Sequence, residues 1–490
     1  MNEINSGNKE DGLIIYGAGK RCTDLYKIVS RLNVSILLIV DSDKNKLGVK
    51  IGSFLVESPE KIRDFQDAKI CITVADNSVF TEISEILHIK YGCSKDRIIS
   101  YYRFIIEAYC NCTLINEYIL TCKAQQQPRT SVLFDSICGL GLGGVEAWTI
   151  EMCQTLNKYC DDNAYIVTDG EDYCIPNVLK EHVLSANINH EERFSIDTIK
   201  SLIQIIIEKM PCKVITSTTN EMLLAAYLIK QIYSDMIEII SVIHNSNDTV
   251  YAAYMDFKEC PDIFIGVSQD IKRNMLQRGI NRDRLYSMTC PFVCEETLYR
   301  TYTENRAYPI RIGYAGRMDG MEHSQKRMDL LLKLVMLLVK RKINFMMELA
   351  GDGPVRIEME SYIKNNHLDK YVKFLGYLHR DKIPDFWKRQ DICINLADYE
   401  GRSISIIEAM GNGGVPVVTA TSGVTEDIIE SVNGYIVPVG DYVLAADRID
   451  VLERHRNRLA EMGKKAHDMV YPKSLMNPHL KFWKHILYGT

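Results

Sequence analysis

A chain of 490 residues with 25% charged and 46% apolar side chains is too long for one hydrophobic core and too apolar for a disordered one, so two or three globular domains are expected. Its net charge of −6 excludes the broadly basic footprint of a nucleic-acid binder, while local arginines and lysines leave phosphate-bearing small molecules open. The fifteen cysteines are an odd number spread along the chain, and the opening MNEINSGNKEDG has no apolar signal core. The longest apolar runs, SILLIV and LLLKLVMLLV, fall short of the roughly 18 residues of a spanning helix. The reading is a reducing, cytoplasmic protein without a transmembrane segment, with peripheral association at the inner face of a membrane left open.

In chain order, short β-branched runs alternate with longer amphipathic stretches three times, the pattern of parallel α/β architecture. The first block, residues 1–115, runs through GLIIYGAGK, SILLIVDSD, AKICITVAD and DRIISYYRFI. Gly17 and Gly19 follow a strand and precede a helix, and Asp41 ends the next strand. That is the layout of a nucleotide site in which backbone N–H groups face an anion and the acid faces a ribose. Cys22 stands where a third glycine would complete the dinucleotide pattern, so a Rossmann-like domain without nucleotide reads equally well. Tyr91 and Lys95 have the spacing of a dehydrogenase couple but fall on a turn, YGCSK. Residues 116–129, with Gln125–Gln127 and Pro128, read as a linker.

The second block, residues 130–300, contains SVLFDSICGL, AYIVTDG, KVITSTT, IISVIHN and DIFIGVSQD. Between its first strand and helix, Gly143 and Gly144 allow close approach of a ligand to the backbone, and Glu146 lies in the first helical turn. A tight turn with a dipole-favourable acid explains the same residues. His244 stands at the carboxyl end of a strand, where parallel sheets place ligands and where a structural histidine is also common. The cysteine pairs Cys110 with Cys112 and Cys290 with Cys294 lack partners at zinc-site spacing, so no metal is expected.

After a connector ending at Pro309, the third block occupies residues 309–455, and residues 456–490 read as C-terminal helices packing back on the second block. Arg317 follows the strand of IRIGYAGR, and Lys326 opens an apolar-spaced helix, so two cations can meet at one strand end. A solvated surface is the plainer reading of both. In DICINLADYEGRSISIIEAM, Glu400 and Gly401 lie just past a strand, and Ser403 or Ser405 can cap a helix containing Glu408. Two carboxylates placed this way can accept paired hydrogen bonds from vicinal hydroxyls, with helix N–H groups between them for phosphate.

From about residue 130 to 440 the chain resembles the family-four glycosyltransferases. The resemblance rests on GLGGVE, Arg317, Lys326, GDGP, KFLG, EGRSISIIEAM, GGVPVV and NGYIVPVGD in that order. It implies a GT-B fold, two facing Rossmann-like domains, here preceded by a third. It also implies retaining, metal-independent hexosyl transfer from a nucleotide-diphosphate sugar to a glycan or lipid-linked acceptor in bacterial surface polysaccharide synthesis, with no cofactor. By position, Arg317 and Lys326 would hold the diphosphate, Glu400 the sugar hydroxyls and Glu408 the ribose. Gly143, Gly144 and Glu146 would approach from the other domain, and His244 would face the donor sugar or acceptor. Gly401, Arg402, Ser403 and Ile404 would complete the substrate loop.

The chain departs from that pattern at two places. Eight residues, MDGMEHSQ, separate Arg317 from Lys326, and Arg402 stands where an apolar residue is frequent. The first block resembles the N-terminal domains of bacterial sugar-modifying enzymes, on IYGAGK, IVDSD and SPEKI, some of which bind nucleotides. An NAD-dependent sugar-modifying unit fused to a transferase and an inactive nucleotide-sugar sensor are the competing readings.

Overall fold

The computed structural model describes residues 12–123, 129–141, 143–160, 163–170 and 177–489. The expected connector Gln125–Pro128 lies outside them, as does Leu142 in the second block's glycine loop. The described residues form three α/β sheets, one for each strand-helix block. The first holds β1 (Leu13–Tyr16), β2 (Ile36–Val40), β3 (Lys50–Ile51), β4 (Phe54–Glu57), β5 (Lys69–Ile72) and β6 (Ile98–Ser100), in the order β3-β4-β2-β1-β5-β6. The second holds β7 (Ser131–Ser136), β8 (Asn163–Thr168), β9 (Val183–Ser185), β10 (Cys212–Thr216), β11 (Ile237–Ile243), β12 (Ile263–Gly266) and β13 (Leu285–Ser287), in the order β13-β12-β11-β10-β7-β8-β9.

The third sheet holds β14 (Ile310–Ala315), β15 (Phe345–Ala350), β16 (Val372–Gly376), β17 (Ile392–Asn395), β18 (Val415–Thr419) and β19 (Tyr435–Val437), in the order β16-β15-β14-β17-β18-β19. Only the β3–β4 pair of the first sheet is antiparallel among the pairings given by register. Central runs such as ILLIV and VPVVT are apolar throughout because helices cover both faces. In each sheet the strand order reverses beside the first strand, between β1 and β5, β7 and β10, and β14 and β17. The crevice outside the carboxyl ends at such a reversal is where open α/β sheets bind ligands.

The chain packs as two compact units. One comprises Met1–Gly139, Cys153–Ser241 and Asn247–Ile263; the other comprises Leu140–Met152, Val242–Ser246 and Phe264–Thr490. In the first, one apolar core runs from Leu13 and Ile15 through Tyr101 and Tyr109 to Phe194 and Phe257, and a second, with Ile14, Tyr16, Val40 and Ile72, lies within residues 14–93. The Tyr102 ring lies 6.1 Å from Phe194 and 5.7 Å from Phe257, and the Tyr109 hydroxyl donates to the Phe194 carbonyl. Residues up to 115, read from sequence as a separate domain, thus share one of their two apolar clusters with elements that follow and keep the other to themselves. The stretch 116–129, read as linker, begins inside the helix Thr113–Thr121, whose Ile115 and Ile119 are fully buried one turn apart.

In the second unit, residues 288–309 form no helix or strand yet are tightly held. The Arg300 guanidinium, 1% exposed, donates to the Asn412 and Gln390 carbonyls at 2.9 and 2.8 Å, and the Tyr302 hydroxyl donates to Gly413 at 2.9 Å. The last helices, Asn457–Ser474 and Met476–Tyr488, complete this unit. Trp483 sits 6.1 Å from Trp148 on the helix Gly144–Tyr159. Among the described residues no helix is long and apolar enough to cross a membrane.

Candidate active site

At the third sheet's reversal, β14 and β17 run side by side with Ile312 opposite Ile392. The loop leaving β14 carries Arg317, and its carbonyl accepts from the Tyr314 hydroxyl at 2.7 Å. The GDGP turn after β15 braces that loop, since the Met318 N–H donates to the Asp352 carbonyl at 2.9 Å. Gly351 and Gly353 have φ of +140° and +156°, and a Cβ would fall 1.9 Å from the Gly316 carbonyl oxygen in one case and 2.3 Å from that of Met318 in the other. Only glycine satisfies both the backbone and the close approach.

The eight residues between Arg317 and Lys326 fold back to the same crevice. Arg327, at φ +48°, closes the loop: its guanidinium binds Asp329 at 3.0 and 3.1 Å and Asp398 at 2.9 and 3.1 Å. The Asp398 N–H donates to the Gln325 carbonyl at 2.9 Å. Lys326 is thereby aimed at Glu400, with Nζ 2.5 Å from Oε1 and both side chains nearly buried. Gln325 donates to the other Glu400 oxygen at 3.3 Å and accepts from Arg317 at 3.2 Å. Asn395, at the end of β17, adds a donor to Oε1 at 3.3 Å. The structure thus brings Arg317, Lys326 and Glu400 into one polar network, and Arg317 remains 48% exposed at its open side.

Ser403 precedes the helix Ile404–Gly411, but its hydroxyl does not cap it. Asn395 and Ser405 hold that hydroxyl, at 3.3 and 3.1 Å. The expected serine cap is therefore absent, and the helix's first N–H groups keep their preference for an anion. Glu408 lies one turn further along. Burial pushes its carboxyl up to about 7, with Arg380 opposing and Glu151 adding to the shift. Arg380 is itself bound to the Glu151 carboxylate and, at 3.2 Å, to the Ala147 carbonyl. No hydrogen bond to the Glu408 carboxylate forms among the described residues, so an acceptor stands ready for hydroxyl donors.

Gly144, the first residue of its helix, backs onto Ile404, whose Cδ1 is 3.6 Å from where a Cβ would stand. The Glu146 carboxylate folds over Gly143, within 2.0 Å of the equivalent point. Gly401 is pressed on the His244 backbone, and its Cβ would fall 2.0 Å from the His244 carbonyl oxygen. The Ser246 hydroxyl reaches the Glu400 carbonyl at 2.5 Å. The His244 ring packs edge-on against Trp148 at 4.8 Å, and its Nε2 is shielded from solvent without a hydrogen-bond partner. Burial lowers its pKa to about 3, so the ring is neutral.

Arg402 is not brought to this group. Its guanidinium, 5% exposed, binds Asp427 at 2.6, 2.7 and 3.0 Å and also donates to Thr289 and Glu426. The charge that sequence placed at the substrate loop is spent on a buried carboxylate, whose one other cation is Lys473 at 2.7 Å among the described residues. In the first sheet, Asp41 is likewise engaged. Its carboxylate accepts from the Ala18 N–H between Gly17 and Gly19 at 2.7 Å, from the Asp43 N–H at 2.8 Å and from Lys46 at 3.0 Å. Burial alone would raise its pKa, but these donors hold it below the ordinary carboxylate value. The acid read as a ribose ligand instead fills the anion seat of its own glycine loop.

Sequence reasoning missed Gln325, Asn395, the Arg327–Asp398 clamp and the Arg380–Glu151 pair. Asn395 had a signal, being a polar residue closing the apolar strand DICIN. The others meet across 71 to 229 residues and leave no local trace.

Comparison with known proteins matches residues 309–469 to the family described as glycosyl transferases group 1, and residues 9–99 to one described as C2185-like, N-terminal. The chain is 25% identical over 264 residues to N-acetyl-alpha-D-glucosaminyl L-malate synthase of Bacillus anthracis, covering 51% of this chain and 67% of that protein. It is 27% identical over 175 residues to poly(ribitol-phosphate) alpha-N-acetylglucosaminyltransferase of Staphylococcus aureus, covering 35% of this chain but only 34% of that one. The crystal structure of Anabaena HepE in complex with UDP-glucose superposes with a TM-score of 0.61 at 18% identity, over 74% of this chain and all of HepE, which shows a shared GT-B fold.

Proposed function

We propose that the chain is a retaining glycosyltransferase that moves a hexose-type sugar from a nucleotide-diphosphate sugar to a glycan or lipid-linked acceptor of a bacterial cell surface. The observation that carries this reading is the Lys326–Glu400 pair at the β14/β17 reversal, tied through Gln325 to Arg317. Arg317 and Lys326 stabilise the negative charge that grows on the departing diphosphate, and the uncapped helix at Ile404 adds its N–H groups. Removing one such donor costs on the order of 10²- to 10³-fold in turnover. Glu400 and Asn395 grip hydroxyls of the transferred sugar, Glu408 accepts from the ribose, and neutral His244 can face the donor or acceptor as a hydrogen-bonding group. No metal is required in this scheme, because the leaving charge meets cations fixed in the fold.

One relative is named for a polymer acceptor, poly(ribitol-phosphate), and the other for a small hydroxy acid, L-malate; both names favour a hydroxyl acceptor, and the first favours one of the cell surface. The test is release of nucleoside diphosphate from UDP-, GDP- and ADP-sugars in EDTA, with anomeric configuration of the product read by NMR. Release from one donor with retained configuration supports the proposal. Activity abolished by EDTA and restored by Mn²⁺, inverted product, or no release from any donor overturns it; the last outcome would favour the sensor reading. The domain limits at 115, 130 and 309 are part of the same proposal as functional, rather than packing, divisions.

A further inference from the structure

The first sheet has a second crevice, on the β5/β6 side and displaced from its reversal and glycine loop. A cavity of about 460 Å³ opens beyond the carboxyl ends of β5 and β6, and the helix Asp248–Asp256 forms its far wall through Thr249, Ala252 and Asp256. This volume lies in the range of small-molecule sites. Gly17, Gly19 and Asp41 do not line it.

Arg21 reaches it from the first turn of the helix Lys20–Arg31. Its guanidinium is fixed by the Val74 carbonyl at 2.7 Å and lies 5.4 and 5.1 Å from the Tyr101 and Tyr102 ring centres. Lys95 lines the same space and pairs with no acid among the described residues, and Arg103 lies beside it with its side chain 60% exposed. Four carboxylates also line it, Asp76, Asp96, Glu107 and Asp256, and Glu107 is already paired with Lys69 at 2.9 Å and with Arg103 at 3.5 Å. Asp76 uses one oxygen to cap the helix Asn77–Tyr91, leaving its other oxygen open to the cavity, and Asp256 faces Ser100, Arg103 and Arg21. Phe80 supplies a half-buried apolar face.

A fixed guanidinium, Arg21, beside an unpaired ammonium suits phosphate, a carboxylate with an open oxygen suits a vicinal diol, and a flat apolar side chain suits a base. We infer that this cavity, walled by the first sheet and the helix Asp248–Asp256, is a second binding site whose ligand is a nucleoside phosphate, separate from the donor site at Glu400. Arg21, Lys95 and Arg103 take the phosphate, and Asp76 or Asp256 the ribose.

The test is calorimetric titration of the full chain carrying Lys326→Ala and Glu408→Gln, which disables the donor site, with UMP, AMP, GMP, CMP and their diphosphates, and with inorganic phosphate alone. One binding event per chain with a nucleotide is expected. It should weaken at least about tenfold on adding Ala252→Phe, which fills the cavity without changing charge, and on adding Lys95→Glu. If Ala252→Phe lowers the melting temperature sharply, Lys95→Glu, at an exposed position, decides. No binding by any nucleotide, binding unchanged by the deciding variant, or inorganic phosphate binding as tightly as the best nucleotide would overturn the inference.

Discussion

Two strand reversals in this molecule start from the same architecture and end with opposite electrostatics. At β1/β5 the acid past the neighbouring strand, Asp41, turns onto the N–H groups of its own loop and a lysine five residues away, and the glycine turn is saturated from within. At β14/β17 the acid Glu400 meets donors that arrive from far along the chain, Lys326 and Gln325, while Arg317 stays open. The difference teaches that strand order locates a crevice but does not say whether it is free to bind. That depends on whether the polar groups there are satisfied locally or by groups that a ligand can share.

Replacing residues at each edge should separate scaffold from site. The largest effect on the fold is expected for Arg402→Met, beside Glu400 but paired with buried Asp427; it should cost about 3 kcal/mol of stability, read by chemical unfolding, as the remaining carboxylate keeps only Lys473 and its neighbours. Lys326→Ala should cost less, about 1–2 kcal/mol, because nearly buried Glu400 keeps the Gln325 and Asn395 donors, and it should cut diphosphate release by roughly 10²- to 10³-fold. Comparable stability losses in both variants would erase the distinction.

Glu408→Gln should weaken nucleoside diphosphate binding by roughly tenfold or more, measured by calorimetry. Its stability effect has the other sign. A carboxyl raised from 4.5 to about 7 on folding makes the folded state bind more protons than the unfolded chain between those values, so stability falls as pH rises through that window. The glutamine variant should therefore melt higher than wild type at pH 8, by about 2 °C or more, and close to it at pH 5. The smallest effect belongs to Asp41→Asn. It should lower stability by about 1–3 kcal/mol at pH 7 and leave diphosphate release within about twofold of wild type. Because the folded-state pKa of Asp41 is depressed, that difference is full above the ordinary value near 4 and disappears as pH falls through the lowered one.

The strand series and the approximate places of Arg317, Lys326, Glu400 and Glu408 were legible because each rests on local pattern: apolar runs, glycine turns and acids at strand ends. What a charge does after folding was not legible. Arg402, Asp41 and Ser403 have the right types in the right places, yet each finds a protein partner that no spacing rule names. The first residues of the linker expected at 116–129 are helical for a related reason. Cys110 to Thr130 has few strong period signals, but burial of Ile115 and Ile119 against a neighbouring core decides the helix there.

Gly401 has a consequence for how sequences of this kind can vary. With the His244 carbonyl oxygen 2.0 Å from the place of its absent Cβ, even alanine must push the two loops apart. The loop on one side carries Glu400 and the loop on the other carries His244 and Ser246. In a saturation library selected for transfer, position 401 should therefore return glycine alone, while exposed neighbours on the same surface accept many residues. The hydrogen atom at that position sets the gauge of the site, and drift in the surrounding sequence has to proceed without widening it.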